Sequence, residues 1–192
     1  GFLKYFGMPV LGMLIAMNFI FIAAGSILDS TFALYSYKVH AFGPDTIGLM
    51  FTYMGVIMAI VQGGAIGPLV DRYGDILIAR AGVWLYIIGL ALMISASGLV
   101  SVLLALSFVT TGVALFVPAT SSLVSKHAPE AEQGAAIGIY QAAGNLGRVI
   151  TPMFSGVVFS AYGPAAPFYI AIIILISALW IVQKTMVQVT VQ

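Results

Sequence analysis

The sequence predicts an all-α integral membrane protein with six transmembrane helices. Of its 192 residues, 61% are hydrophobic and only 7% charged, and the mean hydropathy is +1.12. A soluble surface needs roughly a quarter of its residues charged, so most of this surface must face lipid. A hydrocarbon core about 30 Å thick takes about 20 helical residues to cross. Six apolar runs approach or exceed that length, at residues 6–35, 46–70, 76–96, 99–124, 130–160 and 165–182. The few charges gather mainly in the turns between them.

The same composition excludes several functions. A net charge of +1 gives no basis for nucleic-acid binding. With no cysteine there is no disulfide, thiolate metal site or cysteine nucleophile. His40 and His127 are far apart, both in expected loops, without metal-ligand spacing. No nucleophile–base pair or phosphate loop is present, so neither an enzyme nor a cofactor is expected, and no filter-like loop suggests a channel. The first apolar run is too long for a cleavable signal. The chain starts at Gly1 and reads as a piece of something longer.

Orientation follows from the basic residues. With six crossings both termini share one side. Lys4, Arg72, Arg80, Lys126 and Lys184 fall on that side, and Lys38 alone falls opposite. Both termini are therefore expected in the cytoplasm, with the chain in the cell membrane.

The first helix carries Asn18, Ile22, Gly25 and Asp29 on one face, at helical spacing. A carboxylate facing lipid costs a few kcal/mol, so this face should look onto protein or a watery cavity. The alternative is that Asp29 reaches headgroups or Lys38 at the outer end. Asp45 or Thr46 is expected to cap the second helix. In that helix Gly55, Ala59, Gly63 and Gly67 recur every four residues, a small-residue seam for close packing. The seam serves either packing within the chain or a missing partner.

A charged turn, Gly67-Pro68-Leu69-Val70-Asp71-Arg72-Tyr73-Gly74-Asp75, joins the second and third helices. Asp75 is expected to cap the third helix, with Arg80 pairing with Asp75 or Asp71 or reaching the interface. The third helix, with Trp84, Leu85 and Tyr86, reads as lipid-facing. In the fourth, Ser107, Thr111, Pro118 and Ser122 share a face. A proline-kinked, hydroxyl-bearing face suits a polar pathway; the hydroxyls could equally satisfy backbone freed by the proline.

Pro129 fits the first turn of the fifth helix, and Glu130 and Glu132 complement its positive N-terminus. This helix has a second small-residue seam, Gly134, Gly138 and Ala142. Gln141, Asn145 and Arg148 form a polar stripe at i, i+4, i+7. Arg148 lies too deep to reach water easily, and a buried guanidinium needs a partner or water. Asp29 is the expected partner, in a working pair or a static clamp; backbone carbonyls near Pro152 are the alternative. The sixth helix is almost uniformly apolar, ends at Lys184 and reads as lipid-facing; no motif is legible in residues 186–192.

The glycine-x-leucine-x-aspartate-arginine-x-glycine pattern of the charged turn resembles the signature loop of the major facilitator superfamily of transporters. Asp75 and Ile76 stand where that loop usually carries two more basic residues. The segment Pro118…Pro129-Glu130…Gly134…Gln141…Gly144…Gly147-Arg148…Pro152 is similar to the C-terminal half of its proton-coupled drug-efflux branch. The resemblance implies one half, the C-terminal six helices, of a twelve-helix fold. It implies cavity-lining first and fourth helices, and second and fifth helices that meet the other half. Asn18, Asp29, Thr111, Gln141, Asn145 and Arg148 become candidates for a substrate or proton pathway. Gly67, Asp71, Arg72, Gly74 and Arg80 become a gating turn. The implied function is proton-coupled efflux of small hydrophobic compounds by alternating access. The alternatives are uptake or exchange of an anionic metabolite, with Arg148 as the anion contact, and a non-transporting membrane scaffold. The implied partners are a small-molecule substrate, protons, the lipid bilayer and a second six-helix half, covalent or separate.

Overall fold

The computed structural model describes residues 7–191, with side chains through residue 180 and at Gln183. Lys4 and the Lys184 side chain, both counted in the basic bias, lie outside the described residues. Six long helices follow one another: α1 (Pro9–His40), α2 (Pro44–Tyr73), α3 (Asp75–Ile94), α4 (Leu99–His127), α5 (Gln133–Tyr162) and α6 (Ala166–Val191). Four of them, α1 to α4, are long and apolar enough to cross a membrane. The polar stripe of α5 lowers its hydropathy, and the fully described stretch of α6, Ala166–Trp180, is apolar but shorter.

The ends of these helices correct several expectations. Gly43 occupies the cap position of α2, with Pro44 first in the helix and Asp45 in its first turn. Gly74 separates α2 from α3 at φ 79°, a backbone state that favours glycine; Asp75 is the first residue of α3 rather than its cap. Glu130–Glu132 is a separate 3-10 turn, and α5 starts at Gln133. His40 and His127 close α1 and α4 instead of sitting in loops. The backbone of α6 stays helical beyond Lys184.

The two helices expected to face lipid are half-buried. In α3, Gly82 and Gly89 press on α4. A methyl at Gly82 would lie 2.7 Å from the Gly112 carbonyl oxygen, and one at Gly89 would lie 2.6 Å from Val109 N. Such contact is closer than any side chain permits, so these helices touch backbone to backbone. Tyr86 is wholly buried, its ring near Phe21, which stacks on Phe116 with centroids 3.7 Å apart. This aromatic group ties α1, α3 and α4 together. Trp84, Leu77 and Ile88 hold the outer face. In α6, Phe168, Ala171, Leu175 and Ala178 are buried, and Ile173, Ile176 and Trp180 look outward.

By contrast, α2 buries only Met50. It meets α4 where the Tyr53 hydroxyl and Ser107 Oγ lie 2.6 Å apart. Its seam is open: methyls at Gly55, Gly63 and Gly67 would meet nothing within 4 Å. The helix widens into a π-turn at Val61–Ala65, inside that seam.

These contacts separate two kinds of glycine. Gly112→Val should destabilise the protein by at least about 1–3 kcal/mol through overpacking. Gly55→Ala should leave this bundle's own packing unchanged. Thermal unfolding of the two variants in detergent checks both.

Candidate functional site

α1 and α5 run parallel in close contact, with partners offset by 122 to 125 residues. Gly144 and Gly147 make the approach possible. Methyls there would lie 2.7 Å from Asn18 Nδ2 and 3.0 Å from the Phe19 carbonyl oxygen. Asn18 is buried and donates from Nδ2 to the Tyr140 carbonyl at 2.7 Å. Pro152 has no N–H, so the carbonyl four residues before it, that of Arg148, loses its helical partner. Ser26 Oγ on α1 donates to that oxygen at 3.2 Å. Farther along, the hydroxyls of Ser30 and Ser155 lie 2.8 Å apart.

A cleft of about 250 Å³ opens where α1, α4 and α5 meet. It is lined by Asn18 and Ile22 of α1, Val117 of α4, and Tyr140, Gly144 and the stripe Gln141, Asn145 and Arg148 of α5. The three stripe side chains are exposed toward it. The Tyr140 hydroxyl lies 2.5 Å from Thr120 Oγ1, which closes the cleft's back wall between α4 and α5.

Four of the six pathway candidates therefore line one cleft, and two do not. Asp29 lies about 4.5 Å farther along α1 than the level of Arg148, on the exposed side. Arg148 acts on it through space, but no ion pair within 4.0 Å joins them among the described residues. The static clamp is therefore absent from this structure. No guanidinium bond to carbonyls near Pro152 is present among the described residues either, and the freed carbonyl accepts from Ser26. The guanidinium is left facing the cleft. Thr111 is half-buried on the face of α4 that also carries Ser107, Pro118 and Ser122, outside the cleft lining. Sequence reading missed Tyr140, Val117 and Gly144 as lining residues. The spacing of Tyr140 and Gly144, four apart on the α1-facing side of α5, was the available signal.

In the charged turn, Asp71 and Arg72 are exposed in the last turn of α2, and Arg72 leans over the Tyr73 ring at 5.3 Å. Gly67 is open and Gly74 makes the reversal. Arg80 does not pair with Asp75. That carboxylate is buried and accepts from Lys126 Nζ at 2.5 Å, joining the start of α3 to the end of α4. The Asp75 side chain is only 5% exposed, so removal of its cation leaves a poorly solvated charge. Lys126→Gln should lower thermal stability more than Arg80→Gln does, and Asp75→Asn should restore part of the loss in the double variant. Equal effects of the two single changes would contradict this pairing.

The Major Facilitator Superfamily profile matches residues 10–188. A curated relative, an uncharacterised transporter of the same type from Methanocaldococcus jannaschii, is 27% identical over 119 residues, covering 62% of this chain and 30% of its own. The crystal structure of the human organic anion transporter MFSD10 superposes with a TM-score of 0.82 at 22% identity. It covers 90% of this chain and 40% of that one. A peptide transporter crystallised with alafosfalin gives 0.78 at 19% identity, covering 91% and 38%. The chain thus spans less than half the length of these relatives, and at such identities the two structures speak for the fold alone. The profile covers nearly the whole chain, and the chain belongs to the Major Facilitator Superfamily.

Proposed function

We propose that this chain is one six-helix half, the C-terminal one, of a twelve-helix secondary transporter working by alternating access. The observation that carries the reading is the cleft: amides and a guanidinium converge between α1, α4 and α5 in an otherwise apolar bundle. Polar side chains deep in a span are costly unless they serve a site. The open seams support a second half. Gly55, Gly63 and Gly67 on α2, and Gly134 and Gly138 on α5, have nothing packed on them, so both helices are shaped to receive other helices. The whole assembly would sit in the cell membrane, with both termini of this chain cytoplasmic.

In this mechanism the halves rock about the cleft. Asn18, Gln141, Asn145 and Arg148 hold the solute, Thr111 borders the pathway on α4, and Asp29 carries the coupled proton beside the Arg148 charge. The turn Gly67, Asp71, Arg72 and Gly74, steadied near Arg80, closes the cytoplasmic side against the other half. Similarity to the drug-efflux branch makes the solute a small hydrophobic compound exported in exchange for protons. A second reading, exchange or uptake of an anionic metabolite, is favoured by Arg148 facing the cleft without a carboxylate in ion-pair contact.

Proton movement in liposomes holding the intact native protein separates the readings. Lipophilic cations should trigger proton flux, and Asn in place of Asp29 should cut it about ten-fold or more while cation binding persists. Flux triggered only by organic anions and lost in Arg148→Gln would select the second reading. Silence toward both classes would contradict transport of either kind.

A further inference from the structure

We propose that the outer end of the α1–α5–α6 junction binds an anionic phospholipid, with an acyl chain in an apolar slot and the phosphate on Lys38. The slot holds about 270 Å³ and lies between Ile27 of α1, Phe154 and Val158 of α5, and Ile170 and Ile174 of α6. Two hydroxyls reach its wall, and both are satisfied internally. Thr151 donates to the Gly147 carbonyl at 2.7 Å. Ser155 donates to the Pro152 carbonyl at 3.1 Å and lies 2.8 Å from Ser30 Oγ. With no polar group left to recognise a polar solute, the slot suits hydrocarbon.

Lys38 lies beyond the slot, toward the end of α1. It lies eleven residues beyond Ile27, three helical turns along the same face of α1. Its Nζ is 5.1 Å from the centre of the Phe159 ring, and Phe159 stands one turn beyond Ser155 on α5. The cation is thus held near the outer end of α5 by a ring contact of ordinary strength. No carboxylate occurs anywhere from Gln133 to the end of the chain, and among the described residues none lies within ion-pair distance of Lys38. An exposed ammonium at the interface beyond an apolar slot matches a lipid phosphate. A zwitterionic headgroup brings its own cation and gains less. The inference needs the bundle to lie in a bilayer but does not need it to transport anything.

The test is lipid retention by the intact native protein, read by native mass spectrometry in mild detergent. Phosphatidylglycerol and phosphatidylcholine of identical acyl chains are the probes. The protein should retain phosphatidylglycerol several-fold better. Lys38→Gln should bring it down to the phosphatidylcholine level, and Lys38→Arg should keep it. Ile170→Trp, which fills the slot, should reduce both lipids. Equal retention of the two lipids, or phosphatidylglycerol retention unchanged in Lys38→Gln, would overturn the proposal. Lys38 is exposed at a helix end, so its variants decide the matter even where Ile170→Trp does not fold.

Discussion

The parallel contact of α1 with α5 is the constraint on which the rest of the site depends. Gly144 and Gly147 let the backbones approach, and Asn18 and Ser26 then reach carbonyls on the facing helix. Once that register is fixed, the stripe of α5 has one direction to face. Gln141, Asn145 and Arg148 turn into the cleft beside Asn18, and Asp29 comes within electrostatic reach of Arg148. Pro152 takes part by subtraction. Its missing N–H frees the Arg148 carbonyl, and Ser26 of α1 donates to it, adding to the α1–α5 contact.

Much of this was legible in the sequence because charge and length are unambiguous in a lipid environment. The six apolar runs, the charged turn and the polar stripe all correspond to structural features, and four of the six helices are long and apolar enough to cross a membrane. Runs are legible because a backbone in lipid must bond to itself. What was not legible is which apolar face turns inward. Lipid and protein core are alike apolar, so burial leaves no hydrophobic pattern along α3 or α6. Tyr86 and Phe168 therefore looked like lipid-facing residues and are wholly buried. Glycine spacing carried partial information. The glycines of the two regular series it picked out, on α2 and α5, are bare, and tight packing falls instead at Gly82, Gly89 and Gly112, which it did not single out.

Charge pairing was the other blind spot. Within the turn, sequence proximity pointed Asp75 at Arg80, and the fold brings Lys126 to it from a different helix. Asp29 and Arg148 were matched by elimination, as the deep acid and the deep base. The structure places them near each other with room between, which suits a pair whose contact changes during a cycle better than one that only holds the fold. In the proposed cycle, the cost of both charges in the span would serve movement of a solute or proton.

The central claim is that the cleft faces one side of the membrane and then the other. Side-specific labelling tests it most directly. Asn145→Cys, placed in the intact native protein with any other cysteines replaced, would be exposed to a membrane-impermeant thiol reagent from each side of sealed vesicles. The account predicts labelling from both sides, with the balance shifting when a proton gradient is imposed, and little labelling of Gly55→Cys in the covered seam. Labelling of Asn145→Cys from one side only, whatever the gradient, would contradict it.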